Sequence, residues 1–201
     1  MSLRLFPALA LLFTCPLLLQ AQRPSRSGVG FMGGPQVATW QCAGAKFRPV
    51  PGFVLGFYAP IWVGNRVEIQ PDLLLSLQGM AKDLPDGGRT TVNSLSAVMP
   101  VSLKFFINRS INIQAGVQGG YLLFARSNEE QDVSNELNTL DMGANIGAGI
   151  GTSYGLDITL RYYNGLMNTL RDDNTLFPAN RTLQLTVGHR FSQFSNHRRR
   201  R

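Results

Sequence analysis

The residues of this chain that could do chemistry together are six charged side chains in its middle and carboxyl-terminal parts. They are three acids and three bases: Glu68, Asp72, Asp157, Lys104, Arg161 and Arg190. If the fold gathers them, they form either a gate or solute site, or ion pairs that neutralise one another. A narrow interior filled by side chains favours the second interpretation, because buried charges must be paired. We therefore predict a polar network of structural ion pairs.

Three other motifs suggest chemistry but lack what that chemistry needs. A hydrolase needs a serine and a histidine, usually with an acid, and no acid can be assigned to the face of His189, the only histidine before the tail. The acidic turn 172–174 could ligate calcium, but a lone acidic turn is usually solvated. The glycine run 147–151 lacks the spacing and the following helix of a phosphate loop, which favours small residues on an inner wall. We predict no catalytic residue, metal site or cofactor.

The elements that must position these residues are strands with two different faces. In 111–125, apolar residues occupy odd positions while polar residues and glycines occupy most even ones, as in a pleated strand. The alternation recurs in seven other segments, at about 29–38, 53–63, 67–78, 95–107, 140–151, 156–163 and 183–191. With the apolar faces toward lipid, the pattern predicts an all-β fold, an eight-stranded antiparallel transmembrane β-barrel over 28–191.

The connections between these strands alternate in length. They are short near 64, 109 and 154, and longer at 39–52, 83–93, 126–138 and 171–180. Outer-membrane barrels have short periplasmic turns and long outer loops. We therefore expect the protein in the cell outer membrane, with both termini in the periplasm.

The amino terminus has the build of a secretory signal peptide, predicted over 1–22. It carries one positive charge at Arg4, then an apolar run over 5–19, then Gln20-Ala21-Gln22. The run is short for a spanning helix, which needs roughly 20 apolar residues. We predict that 23–27 is a periplasmic segment and that 192–201 is a basic tail.

The net charge of +7 lies at the ends of the chain. It is carried by Arg4, Arg23, Arg26 and the four arginines at 198–201, whereas residues 27–191 hold twelve Lys plus Arg and twelve Asp plus Glu. A neutral folded part offers no basic face to phosphates, which excludes nucleic acid as a partner.

Five short sequence pieces follow one another along the predicted strands. They are Ile69-Gln70-Pro71-Asp72-Leu73-Leu74 with Gln78-Gly79, Pro100-Val101-Ser102-Leu103-Lys104-Phe105, Gln114-Ala115-Gly116 with Gly120-Tyr121-Leu122-Leu123, Arg161-Tyr162-Tyr163-Asn164-Gly165-Leu166, and Val187-Gly188-His189-Arg190-Phe191. Through these pieces the chain resembles the PorT-type family of outer-membrane β-barrel proteins over 28–191.

The resemblance implies location and architecture more than an activity, although the named member of the family is associated with gliding and protein secretion. It implies outer-membrane lipid and the barrel-assembly machinery as partners. The chain departs from the family pattern because 192–201 continues past Phe191, the aromatic residue at which such chains usually end. We expect Phe191 to be the C-terminal assembly signal, and a protein partner to bind through the outer loops.

Several functions are compatible with these patterns. The expected one is a non-enzymatic membrane barrel that is structural or contacts partners through its loops. The same wall could instead form a narrow solute pore or a lipid-modifying enzyme, and a soluble lipocalin-like barrel would turn the apolar faces inward. The membrane interpretation is favoured by outward aromatic residues near strand ends, as in an interfacial girdle: Phe31, Phe53, Phe105, Tyr162 and Phe191.

Overall fold

The computed structural model describes residues 27–41, 47–63, 66–83, 88–127, 133–134, 137–152, 154–170 and 178–193. The predicted signal peptide at 1–22, the acidic turn at 172–174 and the basic arginines of the tail lie outside these residues. Within the described ranges, no helix has the length and apolar character needed to cross a membrane.

The described residues are almost entirely β-strands. The strands are β1 Gly28–Gln41, β2 Phe47–Tyr58, β3 Ile61–Trp62, β4 Val67–Asp83, β5 Arg89–Phe106, β6 Ile111–Ser127, β7 Leu140–Gly151, β8 Leu156–Gly165 and β9 Ala179–Gln193. The long strands correspond to the segments of alternating polarity, because a pleated strand sends successive side chains to opposite faces of the sheet.

The sheet closes on itself as an antiparallel barrel. Consecutive strands pair around the wall, and the first strand pairs with the last, from Gly28 opposite Gln193 to Gln41 opposite Ala179. Both β2 and β3 pair with β4, so they occupy one position in the wall. The break between them falls at Ala59-Pro60, where proline has no N–H to donate to a ladder. The nine strands therefore make eight positions, which confirms the predicted eight-stranded barrel.

The two faces of the wall have the predicted polarity. Outward side chains such as Leu73, Val117 and Ile146 are each at least 60% exposed, whereas alternate side chains point inward and are mostly buried. Among the outward aromatics, Phe31 packs edge-on against Phe57 with ring centroids 5.7 Å apart. The alternative of a soluble barrel with an apolar interior is wrong, because the large apolar residues lie outside.

The barrel has two different ends. At the short-turn end, β3–β4, β5–β6 and β7–β8 are joined by brief turns, and both Gly28 and Gln193 lie there. The turn before β6 is held by the Asn108 side-chain oxygen, which accepts hydrogen bonds from the Ser110 and Ile111 amides at 2.9 and 2.7 Å. Gly155, in the turn before β8, has a φ of 83°, which favours glycine.

At the opposite, long-loop end, the strands are longer than the sequence predicts. Much of the expected loop 39–52 is strand, since β1 runs to Gln41 and β2 begins at Phe47. The expected loops 83–93, 126–138 and 171–180 are also shorter, because β5 begins at Arg89, β6 ends at Ser127 and β9 begins at Ala179.

The physical reason is that apolar side chains point inward at this level of the barrel, where polar side chains were expected. The strand extensions bury an apolar cluster, here called the apolar cap, made of Met80, Val92, Ala125 and Leu137 with Trp40, Phe47, Leu122, Val133 and Leu170 packed against them. The sequence interpretation assigns every apolar residue to the outer face. It therefore ends each strand too early, at the level where apolar residues point inward.

Candidate functional site

The lumen at the short-turn end holds the first of three buried ion pairs. Glu68 of β4 stands directly opposite Lys104 of β5 in the ladder, and the Lys104 Nζ lies 3.7 Å from the Glu68 Oε1. Both side chains are at most 2% exposed. Neither Glu68 oxygen has a hydrogen-bond partner among the described residues, so the ammonium of Lys104 supplies the compensating charge.

The second pair crosses the barrel. The Arg161 guanidinium of β8 donates to the Asp72 Oδ2 of β4 at 2.8 Å, although these strands are not neighbours in the wall. Gln70 donates to the other carboxylate oxygen at 2.7 Å. The pair is a hydrogen-bonded strut between opposite sides of the lumen.

The third pair lies beside the short turns and includes a tyrosine that the sequence analysis did not identify. Arg190 of β9 donates to the Asp157 Oδ2 of β8 at 3.0 Å, and the Tyr58 hydroxyl of β2 donates to the same oxygen at 2.8 Å. The Tyr58 ring occupies space above two glycines, since a Cβ at Gly30 or Gly188 would crowd it. No local sequence signal marks Tyr58, because the two glycines that make space for its ring, Gly30 and Gly188, belong to different strands.

All six residues of the proposed network therefore lie inside the barrel as three acid–base pairs. Their charges cancel, so this half of the lumen is neutral. Taking one charge of a buried pair away is costly because the other is left without compensation. The arrangement suits a rigid, closed lumen floor.

A layer of neutral polar side chains lies above the pairs. The Gln36 amide donates to the Ser76 hydroxyl and to the Leu77 carbonyl, each at 2.7 Å, and Gln184 donates to the Gln36 Oε1 at 3.0 Å. Gln36, Ser76 and Gln184 are at most 1% exposed. These bonds join β1, β4 and β9 across the interior.

The long-loop half contains a fourth inward acid, Asp141 of β7, which the predicted network omits. Its Oδ2 accepts a hydrogen bond from the Asn180 amide at 3.3 Å, and Asn180 also donates to the Gln78 Oε1 at 2.6 Å. Asp141 forms no ion pair with any residue that the structure describes. A sequence signal existed, because Asp141 occupies the inward phase of its strand.

The other chemical candidates have structural positions. His189 points outward from β9 and is exposed, with Phe31 and Leu156 opposite it on the neighbouring strands. The run 147–151 belongs to β7, where Gly147 and Gly149 lie against the amides of Gln114 and Asn112, which confirms the inner-wall interpretation. In the described part of the chain, no three His, Cys, Asp or Glu residues gather as a metal site would require.

Phe191 lies on the outer surface near the end of β9 and is 62% exposed. The strand continues to Gln193, two residues past the predicted barrel boundary at 191. The ring therefore faces the lipid side of the wall.

Comparisons with known proteins agree with this architecture. Among solved structures, the chain is similar to neisserial surface protein A, with 14% identity, a TM-score of 0.53, and 82% of this chain and 98% of that chain covered. It is also similar to the outer membrane protein OprG from Pseudomonas aeruginosa, with 8% identity, a TM-score of 0.51, and coverage of 84% and 98%. At these identities the likeness concerns the fold alone. A search of curated proteins finds no significant match.

The sequence itself carries a family signature over most of the barrel. Residues 20–171 match the family described as outer membrane protein beta-barrel domain. The match spans β1 to β8 and agrees with the closed wall, its apolar exterior and its polar interior. This chain therefore belongs to the outer membrane protein beta-barrel domain family and is an outer-membrane β-barrel.

Proposed function

We propose that this protein is a non-enzymatic, non-conducting outer-membrane scaffold that contacts a partner at its long-loop end. The observation that carries the proposal is the floor of the lumen, where three buried ion pairs lie below a hydrogen-bonded amide layer and one of them, Arg161 with Asp72, joins opposite walls. An eight-stranded wall encloses an interior that side chains nearly fill. A neutral, filled lumen supports no continuous column of water.

Within this proposal the short-turn end and both termini face the periplasm, as short turns do in related barrels. The long loops then face outward and are the surface on which a protein partner binds. Outer-membrane lipid surrounds the wall, and the barrel-assembly machinery recognises Phe191 at the end of the last strand. A role in protein secretion or gliding, as for the PorT-type protein, rests on the resemblance of the strand sequences.

Planar-bilayer recording tests the closed lumen. We expect the wild-type protein to give no steady current, and Lys104→Met to stay silent where it still folds. Arg66→Met, which changes an exposed cation beside a short turn, is the matched control for loss of one positive charge. A steady, charge-selective current that Lys104→Met abolishes and Arg66→Met preserves would refute the proposal and favour a narrow solute pore.

Thiol labelling in intact cells tests the orientation. The native Cys42, between β1 and β2, should react with a membrane-impermeant maleimide if the long loops face outward. In a Cys42→Ser background, Arg109→Cys at a short turn should react only after the outer membrane is permeabilised. The opposite labelling pattern would reverse the proposed orientation.

A further inference from the structure

The inward charged side chains that the structure describes are not all paired. Four inward acids, Glu68, Asp72, Asp141 and Asp157, face three inward bases, Lys104, Arg161 and Arg190, among the described residues. The three bases are committed to the ion pairs of the lumen floor. Among these side chains, Asp141 in the long-loop half is the acid without an ion-pair partner.

The surroundings of Asp141 are rich in hydrogen-bond acceptors. On the neighbouring strand β6, Asp141 is opposite Gly120, and the next inward residue, Gln118, is opposite Gly143. Gln118 is 3% exposed and its Oε1 has no hydrogen-bond partner among the described residues. The Tyr163 ring lies over Gly143, and its buried hydroxyl has no hydrogen-bond partner among the described residues.

Gly120 leaves space for one methyl-sized group beside this carboxylate. A Cβ added at Gly120 would meet Val98 at 3.4 Å and Asp141 at 3.7 Å, which are ordinary contact distances. By contrast, a Cβ at Gly147 lower in the same wall would collide with the Leu160 carbonyl at 2.5 Å. Asp141 also keeps part of its surface exposed, although Asn180 and Gln78 beside it are buried.

The apolar cap lies nearer the long-loop end than Asp141. It includes Trp40 and Phe47, whose rings pack edge to face at a centroid distance of 5.9 Å. A ligand in this half of the lumen would therefore meet a carboxylate toward the floor and apolar or aromatic surface toward the mouth. The Gln36 layer and the ion pairs lie below this half of the lumen.

We propose that Asp141 is the anionic centre of a binding site for a primary ammonium group carried on a short apolar chain. The three N–H donors of an ammonium match the Asp141 carboxylate, the Gln118 amide oxygen and the Tyr163 hydroxyl oxygen. The apolar chain then contacts the cap, where aromatic rings also favour a nearby cation. A calcium ion fits less well, because it takes six to eight oxygen ligands and usually several carboxylates.

This binding site is a function beyond the scaffold role proposed above. With the lumen floor closed, a ligand binds there and does not pass through the barrel. The test uses the full mature protein in lipid nanodiscs, with n-butylammonium chloride as the probe. We expect saturable binding by calorimetry, weakened about tenfold or more by Asp141→Asn, because hydrogen bonds to charged groups are among the stronger ones. Gln118→Leu should weaken binding by a smaller factor.

Controls separate this site from partition into lipid. The uncharged 1-butanol has nearly the same shape and should give no saturable binding, and Asn112→Leu, an inward amide of the short-turn half, should bind the ammonium as the wild type does. In the wild-type protein, the ammonium should shift the carboxyl carbon resonance of Asp141 and leave that of Asp157 unchanged. That measurement needs no variant, so it remains decisive where a substitution prevents folding.

Four outcomes would overturn the proposal. They are no saturable ammonium binding by the wild type, equal binding by a folded Asp141→Asn variant, equal binding of 1-butanol, and displacement of the ammonium by an equimolar calcium salt. Conductance measurements do not depend on any of these four outcomes. If the ammonium site is refuted, the proposal of a closed lumen is unaffected.

Discussion

The two halves of the lumen accommodate their inward charged side chains differently. In the short-turn half, every inward charge has a partner of opposite sign within 4 Å. In the long-loop half, the Asp141 carboxylate accepts a hydrogen bond from the Asn180 amide, and apolar side chains cover the level above. Among the described side chains, the inward acids of the short-turn half are paired with bases, whereas Asp141 in the long-loop half is not.

This difference suggests that the short-turn half of the barrel contributes to stability and the long-loop half to ligand binding. A compensated set of charges has little to offer a ligand, since its partners are already fixed and desolvated. A buried carboxylate without an ion-pair partner costs some stability and favours a ligand that brings a positive charge. Four substitutions test this contrast, from the largest expected effect to the smallest.

The largest effect is expected for Lys104→Met in the short-turn half. Removing the ammonium leaves the Glu68 carboxylate buried without compensation, and we expect a loss of about 3–5 kcal/mol in the free energy of unfolding. Urea unfolding in lipid vesicles, followed by the shift between folded and heat-denatured gel mobility, measures it. Adding Glu68→Gln should recover most of the loss, and a double variant as unstable as the single one would contradict the pairing.

A smaller loss is expected for Met80→Ala in the apolar cap. Met80 is 8% exposed and packs within the cap, so its truncation should cost about 2–3 kcal/mol in the same unfolding assay. The outward Met99, which is 57% exposed, is the matched control, and Met99→Ala should cost much less. Equal losses would mean that the strand extensions bury no apolar cluster.

The amide layer between the halves should respond more weakly. Gln36→Leu keeps the volume but removes four hydrogen bonds, including those with Ser76 and Gln184. Leaving these buried groups without partners should cost about 1–2 kcal/mol. Combining it with Ser76→Ala should cost less than the sum of the two single changes, and strict additivity would argue against the shared bond.

The smallest effect is expected for Asp141→Asn. Because no described base depends on Asp141, removing its charge should change the free energy of unfolding by less than about 1 kcal/mol. Asp72→Asn is the matched control, since the same chemical change leaves Arg161 without its carboxylate and should cost about 3–5 kcal/mol. If the two substitutions were equally costly, the contrast between the two halves would be wrong.

The sequence predicts the faces of the wall better than the contacts across it. Residues such as Leu73 and Gln70 have the expected sides because alternation is a local property of a strand. The strut from Arg161 to Asp72 joins strands that are far apart in the wall. Its existence depends on the curvature and stagger of the closed barrel, which no local period encodes.

The missed residues have a common cause. Tyr58 and Met80 are large and mainly apolar, and they point inward, so a rule that assigns large apolar residues to the lipid face leaves them out. The Gly30 and Gly188 positions opposite Tyr58 become informative only once β1 and β9 are known to be neighbours. The inward position of Asp141 can be predicted from the alternation in its strand. Its lack of an ion-pair partner cannot, because it depends on which bases the other acids contact.

The seam between β1 and β9 has a consequence for how the protein is made. It joins the two ends of the barrel sequence, whereas the other seams join strands that follow one another along the chain. Such a contact has the greatest loop-closure cost in the molecule and forms slowly unless it is assisted. Until β9 is available, β1 and β8 are open edges, which hydrocarbon does not tolerate and which pair readily with other chains. A chain truncated before Ala179 would therefore become an aggregation-prone open sheet and not a smaller barrel.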